Sequence, residues 1–103
     1  MEMARYILKI LMAKPVITFS WGFHNIRPME NGLVFAVRGY VHQGDVKVEY
    51  DSSSDSFSIS TLKVDGSTKE FKDGIYLSEL TDTIDKMVEY CENYRDKVMA
   101  DYL

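Results

Sequence analysis

The sequence predicts an α+β fold: a helix at each end, an antiparallel meander of four to five strands between them, and both helices packed on one sheet face. Three observations predict it. Leu77, Leu80, Ile84, Met87, Cys91, Tyr94 and Val98 step alternately by three and four residues, the apolar stripe of a helix lying against a packed surface. Between Pro15 and Lys72 the apolar period drops to two, the period of strands with one buried face. Turn-forming pairs such as Asp65-Gly66 separate the alternating runs at hairpin spacing.

The chain of 103 residues is read as one domain, with helices over about 2–14 and 78–101 and strands over about 16–27, 33–42, 45–51, 56–64 and 67–72. A chain of this size buries roughly 60 to 65% of its unfolded surface and has room for one core. With 46% hydrophobic and 27% charged residues, its composition is that of a folded protein rather than a disordered one.

In the first segment Met3, Ile7, Ile10 and Leu11 share a face with Ala4 and Leu8, and Pro15 ends the helix. Arg5 and Lys9, four residues apart on the other face, allow a helix lying on an anionic membrane, but two charges support core packing better. Lys9 interrupts the apolar run, which is too short to span a bilayer, so a cytoplasmic location without membrane contact is expected.

After Pro15, Ile17, Phe19, Trp21 and Phe23 alternate with Thr18, Ser20, Gly22 and His24, which predicts a first strand. Leu33, Phe35, Val37 and Val41 form the buried set of the second. A two-residue turn at Gln43-Gly44 would set His42 opposite Asp45, Tyr40 opposite Lys47 and Arg38 opposite Glu49. On the core side it would set Val41 opposite Val46 and Val37 opposite Tyr50. The fourth strand carries Phe57 and Ile59, and its parity is expected to slip at a bulge near Ser60 or Thr61 so that Leu62 and Val64 face the core. Asp65-Gly66 returns an exposed edge strand with Lys69, Glu70 and Lys72, and Asp73-Gly74 turns the chain toward the last helix. Ser78 is the expected N-cap of that helix, Asp82 and Lys86 the expected i,i+4 pair.

The chemistry-bearing residues form no catalytic or metal pattern, and no cofactor is expected. Both histidines are expected on the outer sheet face. With His24 opposite Ala36, the two would lie about 20 Å apart, too far to share a metal ion. Asp51 to Asp55 resembles metal-binding loops only superficially: Asp55 replaces the last serine of a D-x-S-x-S loop, and Ser56 and Leu62 stand where an EF-hand needs Gly and Glu. A polar hairpin loop is the expectation. The single cysteine, Cys91, excludes an internal disulfide and falls on the apolar stripe. Serines lack a G-x-S-x-G elbow and glycines lack a phosphate-cradling cluster, which argues against an enzyme.

What remains is surface. Tyrosines number seven, and the final helix carries Tyr90, Tyr94 and Tyr102 beside Val98; these four are the expected interface to a second copy or a protein partner. The alternative is nucleic-acid binding on the outer sheet face through Arg38, Tyr40, His42 and Lys47. The net charge of -4, from 12 basic and 16 acidic residues, argues against it.

Two motifs carry a resemblance. The G-L-x-F-x-V run at Gly32 to Val37 and the I-Y-x-x-E-L-x-x-x-I-D run at Ile75 to Asp85, behind an N-terminal helix, resemble small α+β proteins of no assigned function carried by bacterial genomes and mobile elements. The resemblance implies the fold and assigns a role to no residue.

Overall fold

The computed structural model describes residues 2–39 and 41–89. Helix α1 (Glu2–Met12) and a short helix α2 (Pro15–Ser20) precede five strands, β1 (His24–Met29), β2 (Gly32–Arg38), β3 (Gln43–Asp51), β4 (Ser56–Leu62) and β5 (Thr68–Ile75). A 3-10 turn, Leu77–Glu79, then leads into α3 (Leu80–Val88). The strands form one antiparallel sheet in chain order, β1-β2-β3-β4-β5, so the fold is α+β with an open meander.

One face of that sheet is the core. Leu33, Phe35 and Val37 of β2, Val46 and Val48 of β3, and Phe57 and Ile59 of β4 are buried there, beneath Ala4, Ile7 and Leu11 of α1 and Leu80, Ile84, Met87 and Val88 of α3. The helical stripe expected from Leu80 onward is therefore real over the described residues, and it begins one step late, because Leu77 is exposed. The rest of the stripe, with Cys91, Tyr94 and Val98, lies outside the described residues.

The segment expected as a first strand over 16–27 folds differently. Pro15 does end α1, but it also starts α2, where a proline at the first position costs no helical hydrogen bond. The Thr18 hydroxyl donates to the Leu11 carbonyl at 2.6 Å, satisfying one of the acceptors left over at the end of α1. Phe19 is exposed and Thr18 buried, the reverse of the expected faces, while Trp21 is fully buried. Six residues are too few for period two and period 3.6 to be told apart, and tertiary contacts chose the helix. The true β1 begins at His24, which pairs with Ala36 as expected.

The β2–β3 connection also differs. Gln43 and Gly44 belong to β3, and β2 ends at Arg38, so Val41 and His42 lie in the connection. Val46 faces Phe35 rather than Val41, and Lys47 faces Val34 rather than Tyr40, a displacement of six residues along β2. Because six is even, the paired residues of β2 and β3 keep their expected faces although their neighbours change, whereas Val41 and His42, beyond the end of β2, do not keep theirs. Arg38 pairs with Gln43 and Glu49 with Gly32, so Arg38 and Glu49 are not cross-strand partners. The turn is held by α3: the Val41 and His42 amides donate to the Val88 carbonyl at 2.9 and 3.1 Å.

Farther on, β4 pairs with β3 without interruption from Asp45↔Leu62 to Asp51↔Ser56, and the irregularities are in its pairing with β5. One falls between Thr61 and Leu62, beside the expected bulge. Parity nevertheless does not slip: Thr61 takes the core position, Leu62 is half-buried and Val64 is fully exposed. The Asp65-Gly66 turn forms as expected, with Gly66 at φ +88° and the Asp65 carboxylate accepting from the Ser67 amide at 2.9 Å. Asp73-Gly74 lies inside β5, where the four residues from Lys72 to Ile75 span what the three from Ile59 to Phe57 span on β4. Ser78 sits within the 3-10 turn; Glu79 precedes α3 and no side chain caps it. Asp82 pairs with Lys14 of the α1–α2 connection at 3.2 Å rather than with Lys86.

Candidate functional site

The residues singled out from sequence do not come together. Tyr90, Tyr94, Val98 and Tyr102, and also Tyr40, lie outside the described residues. Arg38 is exposed at the end of β2. Lys47 is half-buried and paired with Glu49 at 3.3 Å. His42 is not on the outer face at all: it is 3% exposed, with its ring Nε2 3.1 Å from the Asp45 carbonyl. Burial holds its pKa below the ordinary imidazole value. The Asp45 carboxylate is engaged by Arg27 at 2.7 Å, so it is not a base-orienting partner for His42. The 20 Å separation expected for the histidines assumed that β2 runs on to His42, whereas β2 ends at Arg38. His24 is exposed, its Nδ1 turned to the Gly22 carbonyl at 2.5 Å.

The Asp51–Asp55 segment is the polar turn it was expected to be. Asp51 accepts from the Ser53 amide at 2.9 Å and from its hydroxyl at 2.6 Å, and these bonds lower its pKa. Among the described residues no group of three or more His, Cys, Asp or Glu is placed to hold a metal ion, and no helix is long and apolar enough to cross a membrane.

A different site emerges at the end of the molecule where α1 begins. A cleft of about 800 Å³ is lined by Met3, Tyr6, Tyr50, Asp55, Phe57, Tyr76, Leu77 and Ser78. Each arrives for a local reason. Met3 and Tyr6 stand three apart on α1, hence on adjoining positions of one face. Tyr50 ends the inward series Val46, Val48, Tyr50 of β3 and pairs with Phe57 of β4, their ring centroids 5.4 Å apart. Asp55 closes the β3–β4 turn at φ +51°, a left-handed conformation that Asp tolerates better than most residues. Tyr76, extended at φ -82° and ψ 157°, carries the chain from β5 into the 3-10 turn.

The Tyr50 hydroxyl donates to the Asp55 carboxylate at 2.6 Å. That bond, then partial burial, the Asp55 charge and a smaller effect of Tyr6, raises the Tyr50 pKa. Tyr50 therefore stays protonated and oriented, and Asp55 is the only charged side chain among the described lining residues. Tyr6, Tyr76 and Leu77 are 47%, 61% and 44% exposed, so their apolar surface faces solvent around the opening. An aromatic cleft with one fixed carboxylate has the composition of a binding site: apolar faces supply area, and a few polar groups set orientation. Sequence reading missed it because Tyr6, Tyr50 and Tyr76 are scattered through the chain; the one available signal was the abundance of tyrosine.

The fold and this cleft define a small α+β protein with an open antiparallel sheet and a candidate ligand-binding cleft. Comparison with protein-family models, curated proteins and solved structures finds no match to any of them.

Proposed function

We propose that this protein is a small cytoplasmic interaction module without catalytic activity, which takes a side chain from a partner's segment into the tyrosine-lined cleft. One observation carries the reading: three tyrosines and a phenylalanine from four separate elements converge on one solvent-open cleft whose rim leaves apolar surface uncovered. Tyrosine suits such a role because its ring supplies area at low entropic cost while its hydroxyl stays wet.

A peptide array tests the reading. The wild type is expected to select a subset of peptides, and Tyr76→Ser with Leu77→Ser is expected to lose them. Both residues are exposed, so folding should survive. Array hits retained at full strength by that double variant would overturn it. Sedimentation at micromolar concentration tests self-association as the alternative: a dimer dispersed by the same substitutions would make a second copy the partner.

A further inference from the structure

We propose that the side chain recognised by the cleft carries an alkylated ammonium group, as in a methylated lysine, an inference that rests on the interaction-module reading. Four aromatic rings, those of Tyr6, Tyr50, Phe57 and Tyr76, line one space. An aromatic face carries negative potential, and several faces around one point attract a cation better than a neutral group of the same shape. The charge of the lining agrees in sign: among its described residues Asp55 is the only ionised side chain and none is basic, and the chain as a whole carries -4. Anionic ligands are disfavoured on the same grounds.

Asp55 also acts on the rings. By accepting a hydrogen bond from the Tyr50 hydroxyl at 2.6 Å, it draws positive charge onto that hydrogen and leaves the phenol ring more electron-rich. Of the other described lining residues, Met3 and Leu77 are apolar and Ser78 offers one hydroxyl. That is fewer acceptors than a primary ammonium, which is compact and strongly hydrated, needs to replace the water it sheds. Alkylation removes most of that desolvation cost while keeping the charge, so the walls and rings together favour a methylated ammonium over the unmodified one. The cleft, at about 800 Å³, also has room for the stem of a side chain behind its head group.

The test is a titration of the wild-type chain with a trimethyl-lysine peptide, the same peptide bearing unmodified lysine, a neutral tert-butyl isostere of the trimethyl-lysine peptide, and tetramethylammonium, followed by calorimetry. The trimethyl-lysine peptide is expected to bind at least about ten-fold tighter than either the unmodified peptide or the isostere. Tetramethylammonium is expected to compete for the same site. Tyr76→Leu, which keeps the apolar area and removes the ring, and Asp55→Asn, which removes the charge, should each weaken the methylated peptide about ten-fold and leave the isostere unaffected. Burial of the only tryptophan, Trp21, provides a fluorescence control that both variants are folded. If the isostere binds as tightly as the cation, the ammonium assignment is overturned while the interaction-module reading stands. Binding of tetramethylammonium while none of the peptides binds would overturn the partner-segment reading and assign the cleft to a small quaternary amine. Should none of the probes bind, the assignment fails outright.

Discussion

The Trp21 indole N–H donates to the Asp85 carboxylate at 2.9 Å, joining the residue that follows α2 to the middle of α3 across 64 positions of sequence. Trp21 is fully buried and stacks with Phe35 of β2 at a centroid distance of 6.3 Å, so this one side chain ties both helical layers to the sheet. A buried indole N–H that loses its acceptor is cut off from water, which makes the bond costly to lose. Asp85→Ala should therefore destabilise the fold by about 1 to 3 kcal/mol, and Asp85→Asn, whose amide oxygen still accepts, by less. Urea denaturation followed by the fluorescence of Trp21 measures both.

Gly39 marks the point where the β2–β3 turn meets the end of α3. A Cβ there would stand 2.7 Å from Val88 Cγ1 and closer still to the Val88 carbonyl oxygen, which is backbone and cannot swing aside. Gly39→Ala is expected to cost about 3 kcal/mol or more. Gly66, at φ +88° with nothing within 4 Å, has space but the wrong backbone for a side chain. Gly66→Ala should cost only about 1 to 2 kcal/mol, from left-handed strain. Paired denaturation midpoints distinguish the two causes.

His42 makes the stability depend on pH. Burial lowers its folded pKa, while Lys69 opposes the imidazolium and the Asp45 carbonyl, the Asp45 charge and Glu70 favour it. The unfolded chain, titrating near pH 6.5, therefore binds a proton that the folded chain resists. The contribution is fully present above about pH 6.5 and is lost as pH falls through the folded value. Stability should decline from pH 7.5 to pH 5.5 in the wild type and decline less in His42→Gln, which keeps a donor for the Asp45 carbonyl. Equal slopes in the two proteins would show that His42 is not responsible.

Thr61 is 1% exposed, and its hydroxyl has no hydrogen-bond partner among the described residues. It stands at a core position opposite Val46. A buried hydroxyl without a partner forfeits its hydration for nothing in return. Thr61→Val, similar in shape and apolar, should leave stability unchanged or raise it by up to about 1 kcal/mol, as read from the thermal midpoint.

Much of the fold was legible because local physics decides it. The α1 stripe at Ala4, Ile7 and Leu11, the alternation of Leu33, Phe35 and Val37, the Asp65-Gly66 turn and the polar Asp51–Asp55 turn each follow from the spacing or dihedral preferences of a few adjacent residues. The binding cleft was not legible. Tyr6, Tyr50 and Tyr76 are neighbours only once β3, α1 and the strand-to-helix connection have been brought to the same end of the sheet.

The amino-acid sequence by itself determined which faces of β2 and β3 are buried and that the stripes of α1 and α3 cover them, because periodicity is a property of consecutive residues. Tertiary structure alone decided the pairing between strands. Displacing β2 by six residues leaves Phe35, Val37, Val46 and Val48 on the core side in either register, so the apolar pattern cannot choose between them. The choice falls to the Val88 carbonyl, which receives the Val41 and His42 amides and so fixes where β2 ends. That contact reaches 46 positions from His42 to Val88, and with it His42 leaves the outer face for the interior. Local sequence carries no record of a partner so distant, because the backbone donors of a turn are satisfied by whatever acceptor the finished fold delivers.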